Sequence, residues 1–219
     1  NLLEGDSGTE VQEPIVTDGS DLSGKSQVIL FDVPFTSQAP FGGWSDPRRE
    51  NACEETSALM AMAWVRGEKL TAEYSDRKIL EISDYEKEVY GDFHDTSAED
   101  TVKRIFNDYF KYSKVRAVQD IDAEDIKREL KNGNLVIVPV HGQRVKNPYY
   151  TLPGPIQHMM VVIGYDEAKK QFIVNDPGTR HGEKYRYGED IFEAALQDYP
   201  SGMHEPIIEG KTAMIVVEK

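Results

Sequence analysis

An α+β fold is predicted for this 219-residue chain from three observations. Helix-periodic segments crowd the first part of the chain. Apolar, strand-like runs gather in the second half. No strand–helix–strand alternation links the two groups, which speaks against a parallel βαβ sheet. The expected architecture is therefore an N-terminal helical part packed on a C-terminal antiparallel sheet.

Residues 1 to 27 are rich in Asp, Glu, Gly, Ser and Thr, and read as an acidic, disordered leader. Residues 28 to 219 form the folded domain. A leader of this composition follows a removed signal peptide or an N-terminal anchor, so an extracytoplasmic location is expected, with a trimmed cytoplasmic linker as the alternative. Gln27 to Val33 reads as the first strand. A long loop rich in Pro and Gly follows, up to Glu50.

Asn51 is a good N-cap, and Glu54, three residues on, can complete a capping box. The helix then runs through Ala58, Leu59, Met62, Ala63 and Val65 as its buried face to about Arg66, and Gly67 ends it. Thr71 to Tyr90 is amphipathic, with Ile79, Leu80 and Ile82 as core positions. Ser97 to Asp100 caps a further helix reaching Tyr109, in which Val102, Ile105, Phe106 and Tyr109 share a face. Asp122 opens another that ends at Asn132-Gly133. Leu135 to Val140 is a buried strand. Gln157 to Tyr165 and Gln171 to Gly178 form a hairpin over a polar turn. Ile191 to Gln197 reads as a short helix and Thr212 to Glu218 as the closing strand.

Composition narrows the function. The chain has 39% hydrophobic residues, enough for one substantial core, and a formal net charge of −14 with no Lys/Arg-rich stripe. Binding to nucleic acid or to an anionic membrane surface is disfavoured. No run of 18 apolar residues exists, so no transmembrane helix is expected within the chain. The single cysteine allows no intramolecular disulfide.

That cysteine, Cys53, lies in the first turn of a helix, where unpaired backbone N–H groups and the macrodipole favour a thiolate. A buried free cysteine is also an ordinary core residue. Position at the helix start, off the apolar stripe, argues for a nucleophile. Its base would be His158, at the start of one arm of the hairpin, oriented by Asp176 at the end of the other. An odd-length loop puts the two on one face of the sheet, whereas an even loop without a bulge puts them on opposite faces.

These segments resemble the bacterial peptidase family C-39-like proteins, papain-clan relatives of the bacteriocin leader peptidases. The matching pieces are Val33-Pro34-Phe35-Thr36-Ser37-Gln38, Asn51-Ala52-Cys53, the strand from His158 to Asp166, and Phe172-Ile173-Val174-Asn175-Asp176-Pro177. The resemblance implies a papain-like fold over roughly residues 28 to 219. It implies Cys53 as nucleophile, His158 as general base and acid, Asp176 as the group holding the imidazole, and Gln38 as an oxyanion donor beside the backbone N–H of Cys53. The chain departs from the family pattern in two places. Glu54 stands where many relatives have Gly, and a carboxylate there disfavours a neighbouring thiolate. Fourteen residues separate Gln38 from Cys53, more than in the leader peptidases.

A cysteine peptidase acting on a peptide or protein substrate is the leading reading. A cell-wall amide hydrolase or acyltransferase with the same triad is an alternative, as is an exported binding module with the fold but little turnover. No cofactor is called for. His94, His181 and His204 have no metal-ligand spacing and read as solvent-exposed, and His141 as a surface residue. Phe41 and Trp44 are candidates for a cleft wall or for loop packing. Met159 and Met160 read as core. Glu81, Asp84, Glu86 and Glu88 read as a solvated helix face.

Overall fold

The fold is seen in a computed structural model, which describes residues 27–203 and 211–219. The acidic leader up to residue 26, and His204, lie outside the described residues.

Among the described residues, seven strands form one antiparallel sheet: β1 (Val28–Leu30), β2 (Val115–Gln119), β3 (Leu135–His141), β4 (Gln157–Asp166), β5 (Gln171–Asn175), β6 (Tyr185–Gly188) and β7 (Ala213–Val217). Their order is β2-β7-β3-β4-β5-β6, and β1 pairs with the far end of β4. The three central strands are apolar without alternation because both faces of the sheet are covered. Along β4, Met159, Val161 and Ile163 enter one hydrophobic cluster while Met160 and Val162 enter the other. β7 divides in the same way, Ile215 and Val217 against Met214 and Val216.

The first cluster is closed by α2 (Cys53–Arg66), with α3 (Ala72–Tyr90) and a helix beyond it; the second lies against α5 (Ala123–Lys131) and α6 (Glu189–Glu193). α2 ends at Gly67, whose φ of 65° is the left-handed conformation that glycine adopts without a Cβ penalty. Every residue from Cys53 to Trp64 is buried, so the helix has no solvent face and the expected one-sided stripe does not describe it. Ser57 Oγ donates to the Met159 carbonyl at 3.3 Å, which pins the second turn of α2 beside the start of β4.

Several expectations are corrected. α2 is not capped by Asn51. Asp46 and Pro47 nucleate a separate short helix, α1 (Pro47–Glu50), and Asn51 closes it by donating its side-chain amide to the Pro47 carbonyl at 2.8 Å. The N-cap of α2 is Ala52, with no side-chain cap, and the Glu54 carboxylate turns inward, so no capping box forms. The helix capped by Ser97 is α-helical only over α4 (Ala98–Asp100) and continues as a π-helical segment, Thr101–Tyr109, with Phe110 N–H bonded to the Ile105 carbonyl five residues back. Leu80 is only partly buried, whereas Glu86 is fully buried. α6 begins two residues before the expected Ile191 and ends at Glu193. β2 and β6 were not expected. Each is an edge strand with a charged residue at its second position, Arg116 or Arg186, which hides the apolar signal.

The hairpin resolves its own parity. Asp166 pairs with Gln171, leaving an even loop over residues 167–170. A bulge between Val162 and Gly164 shifts the register by one, so that Val161 faces Asn175. The two effects cancel, and His158 and Asp176 fall on one face. Gly164 is needed there, since a Cβ on it would stand 2.2 Å from the Ile29 carbonyl oxygen of β1.

Candidate active site

Three elements converge on an open cleft of about 930 Å³: the start of α2, the start of β4 and the turn after β5. That volume suits a peptide segment several side chains long. Gln38, Cys53 and His158 all reach it. One wall carries Trp44, Glu50 and Asn51, and the other comes from the β3–β4 loop with Tyr149, Tyr150 and Pro155. The turn after β5 adds Gly178, Thr179, Arg180 and His181. Trp44 is therefore a wall residue, not loop packing. His181 is exposed, as expected, and stacks on Tyr149 with ring centroids 4.4 Å apart.

His158 Nε2 lies 2.8 Å from Asp176 Oδ1, with both side chains almost completely buried. The Asp176 carboxylate is saturated. Oδ1 also accepts from the Gly178 N–H at 3.0 Å, and Oδ2 accepts from Tyr150 at 2.6 Å, Tyr187 at 2.8 Å and the Asn147 amide at 3.1 Å. Burial pushes the Asp176 carboxyl up, but His158 and the hydroxyl donors outweigh it and hold the group below its usual range. A carboxylate so fixed donates nothing, so Nε2 carries the proton toward it, and Nδ1 is the nitrogen left to act as base. Gly178 is required by this packing, since a Cβ there would stand 2.9 Å from His158 Cε1 and 3.1 Å from Nε2.

Cys53 is the first residue of α2, yet its thiol is pushed well above its ordinary value. Burial is the main cause, followed by the charge of Glu54 and the hydrogen bond to it. The helix start does not outweigh these in the arrangement seen. The Sγ–H donates to Glu54 Oε2 at 3.0 Å, and Glu54 Oε1 accepts from the Tyr199 hydroxyl at 2.6 Å. Burial raises Glu54 to about 7, aided by Asp95 and opposed by the Tyr199 and Cys53 hydrogen bonds.

Gln38 is held at its backbone by the Pro177 carbonyl, 3.0 Å from its N–H, which ties the first segment to the Asp176 turn. Its side-chain nitrogen donates to the carbonyls of Arg49 and Glu50 at 2.9 and 2.8 Å. Those are the last carbonyls of α1, and Gln38 caps them. Both of its N–H bonds are committed there, so an oxyanion donor role requires one of them to be released. The long spacing to Cys53 has a cause of its own: it holds α1, which Arg49 clamps to α3 through a two-pronged contact with Asp76 at 2.8 and 3.0 Å.

Asn147, Tyr150, Tyr187 and Tyr199 were not among the expected site residues. No motif or period marks them. Asn147, Tyr150 and Tyr199 sit in irregular segments, and Tyr187 sits on the edge strand β6.

On this α+β scaffold one cleft is lined both by a thiol at the start of a helix and by the histidine of a buried His–Asp pair. The sequence matches the model of the Peptidase_C39 like family over residues 30–201, and the chain belongs to that family. Among solved structures it is similar to a protein from Bacillus anthracis assigned as a C39-like peptidase, with a TM-score of 0.55 and 15% identity, covering 88% of this chain and 98% of that one. At that identity the likeness bears on the fold, which is papain-like. Among curated proteins, none matches.

Proposed function

We propose that this chain is a cysteine peptidase that cleaves peptide bonds through an acyl-thioester. The observation that carries the reading is the His158–Asp176 pair, 2.8 Å apart and buried, opening onto the same cleft as the one cysteine. Cys53 Sγ attacks the substrate carbonyl as His158 Nδ1 takes its proton. The imidazolium then protonates the leaving amine, and water, activated by the same nitrogen, releases the acid. Asp176 fixes the tautomer and stabilises the imidazolium. The Cys53 backbone N–H, an unpaired donor in the first turn of the helix, faces the developing oxyanion, joined by Gln38 once it leaves one α1 carbonyl.

The test is Cys53→Ala measured against a fluorogenic peptide library. Loss of all cleavage, with the fold and peptide binding retained, supports the reading. Undiminished cleavage removes it. A non-catalytic binding module is the second reading, favoured by the thiol's bond to Glu54 in place of His158. Peptide binding by wild type and Cys53→Ala alike, with no turnover in wild type, would decide for that module.

A further inference from the structure

A free thiol poised for attack would be expected to bond to its base. Here the hydrogen bond of Cys53 runs to the neighbouring carboxylate, and among the described residues none joins Sγ to His158. The carboxylate is held for this contact from its other side by the Tyr199 hydroxyl, brought in by the loop after α6. We propose that Glu54 is a positioning residue that latches the nucleophile: it keeps the Cys53 thiol turned from His158, and uptake of a proton by Glu54 releases it. The proposal rests on Cys53 being the nucleophile of the reading above, and adds how that nucleophile is controlled.

The surroundings of Glu54 fit a latch of this sign. Asp95 faces it from the loop before α4, Glu86 from α3, and Glu55 and Cys53 from its own helix, with Tyr199 as the one neutral donor from outside. Of the opposing charges around this pocket, Arg104 of the π-helical segment acts on Glu86 and His158 of β4 acts on Asp176. A thiolate beside an ionised Glu54 would add a further negative charge to an already acidic, desolvated pocket. Once Glu54 is neutral, that repulsion is gone. The S–H bond can then break with its proton passing to His158 Nδ1, leaving a thiolate–imidazolium pair over the intact Asp176 contact. Burial of Glu54, which raises it to about 7, puts the change in the physiological range.

The experiment is the rate of iodoacetamide alkylation of Cys53 in the full chain against pH, for wild type, Glu54→Gln and Tyr199→Phe. Wild type should lose reactivity between about pH 6 and about pH 8 as Glu54 ionises, the reverse of an ordinary thiol. Glu54→Gln, of the same shape but uncharged, should stay flat and alkylate about tenfold faster than wild type near pH 8. Tyr199→Phe removes a donor that favours the carboxylate, so its fall in rate should move to higher pH. It also keeps the test open if Glu54→Gln does not fold. A wild-type rate that only rises with pH, a Glu54→Gln rate no faster than wild type, or an unshifted Tyr199→Phe profile would each overturn the latch. Alkylation needs no turnover. A falling wild-type profile in a protein that cuts no peptide would retain the latch and remove the peptidase reading.

Discussion

Replacing Asp176 by Asn probes the best-fixed part of the site. The carboxylate accepts five hydrogen bonds, two on Oδ1 and three on Oδ2. An amide must place its NH2 group toward one set of donors. Toward Oδ1 it would meet the Gly178 N–H, which cannot reverse. Toward Oδ2 it meets two hydroxyls that can rotate to accept, and an Asn147 amide that is held by the Tyr149 N–H and must move aside. The side-chain oxygen therefore stays on His158, and the tautomer survives. What is lost is the charge. A charge-assisted bond contributes roughly 1.5–3 kcal/mol against about 1 for a neutral one, so the imidazolium loses on the order of 1–2 kcal/mol. The Oδ2 side loses a comparable amount. In cleavage of a peptide from the library, kcat/KM should fall about 5- to 30-fold with the loss in kcat, since the charge matters most when His158 is protonated. Unfolding at neutral pH should become easier by roughly 1–3 kcal/mol. Asp176 is held below its usual range, so its contribution to stability is present above the unfolded carboxyl's value and is lost as pH falls through the folded one. The mutant and wild-type stability curves should accordingly converge on acidification. A kcat/KM within about threefold of wild type, or a defect in KM alone, would refute the role given to Asp176.

Two further outcomes are expected. Gly178→Ala pushes a Cβ to within 2.9 Å of the His158 ring; the ring must shift, and cleavage should drop about 100-fold while the melting temperature changes little, read by kinetics and calorimetry on one sample. Burial raises Glu54, Glu55 and Glu86, helped by Asp95 at Glu54, by Glu86 and Glu54 at Glu55 and by Glu54 at Glu86, so that Glu54 reaches about 7 and Glu86 about 8. Their folded values lie above their unfolded ones, so the stability they favour is complete below the unfolded carboxyl range and is lost as pH rises through the folded values. The chain should melt at lower temperature at pH 8 than at pH 5, and Glu86→Gln should remove part of that difference; equal melting temperatures would contradict the burial of these charges.

What the sequence showed and what it hid divide along a physical line. α2, α5 and the central strands were legible because period and punctuation agree: Gly67 and Asn132-Gly133 stop helices, and unbroken apolar runs mark strands covered on both faces. The order of Gln38, Cys53, His158 and Asp176 was legible as a resemblance. α1 was not, since four residues without a buried side chain leave no periodic trace. The buried state of Glu54 and Glu86 was hidden for a related reason. Composition marks a carboxylate as solvated, and only the arrival of Tyr199 and the packing of α3 on α2 bury it. The donors around Asp176 come from separate loops and an edge strand, which no local pattern brings together.

The bulge at Ile163 acts on this hairpin as a boundary between two phases of side-chain alternation. On its turn side lie residues 164–173, where a change of length alters only how the tip looks to solvent. On its other side lie His158 and Asp176, whose facing depends on that single extra residue. Insertions at the tip 167–170 are thus silent to the His158–Asp176 pair, while loss of one residue at the bulge would invert it. Length variation among related chains should therefore collect at the tip, with the two stretches between bulge and site held at constant length.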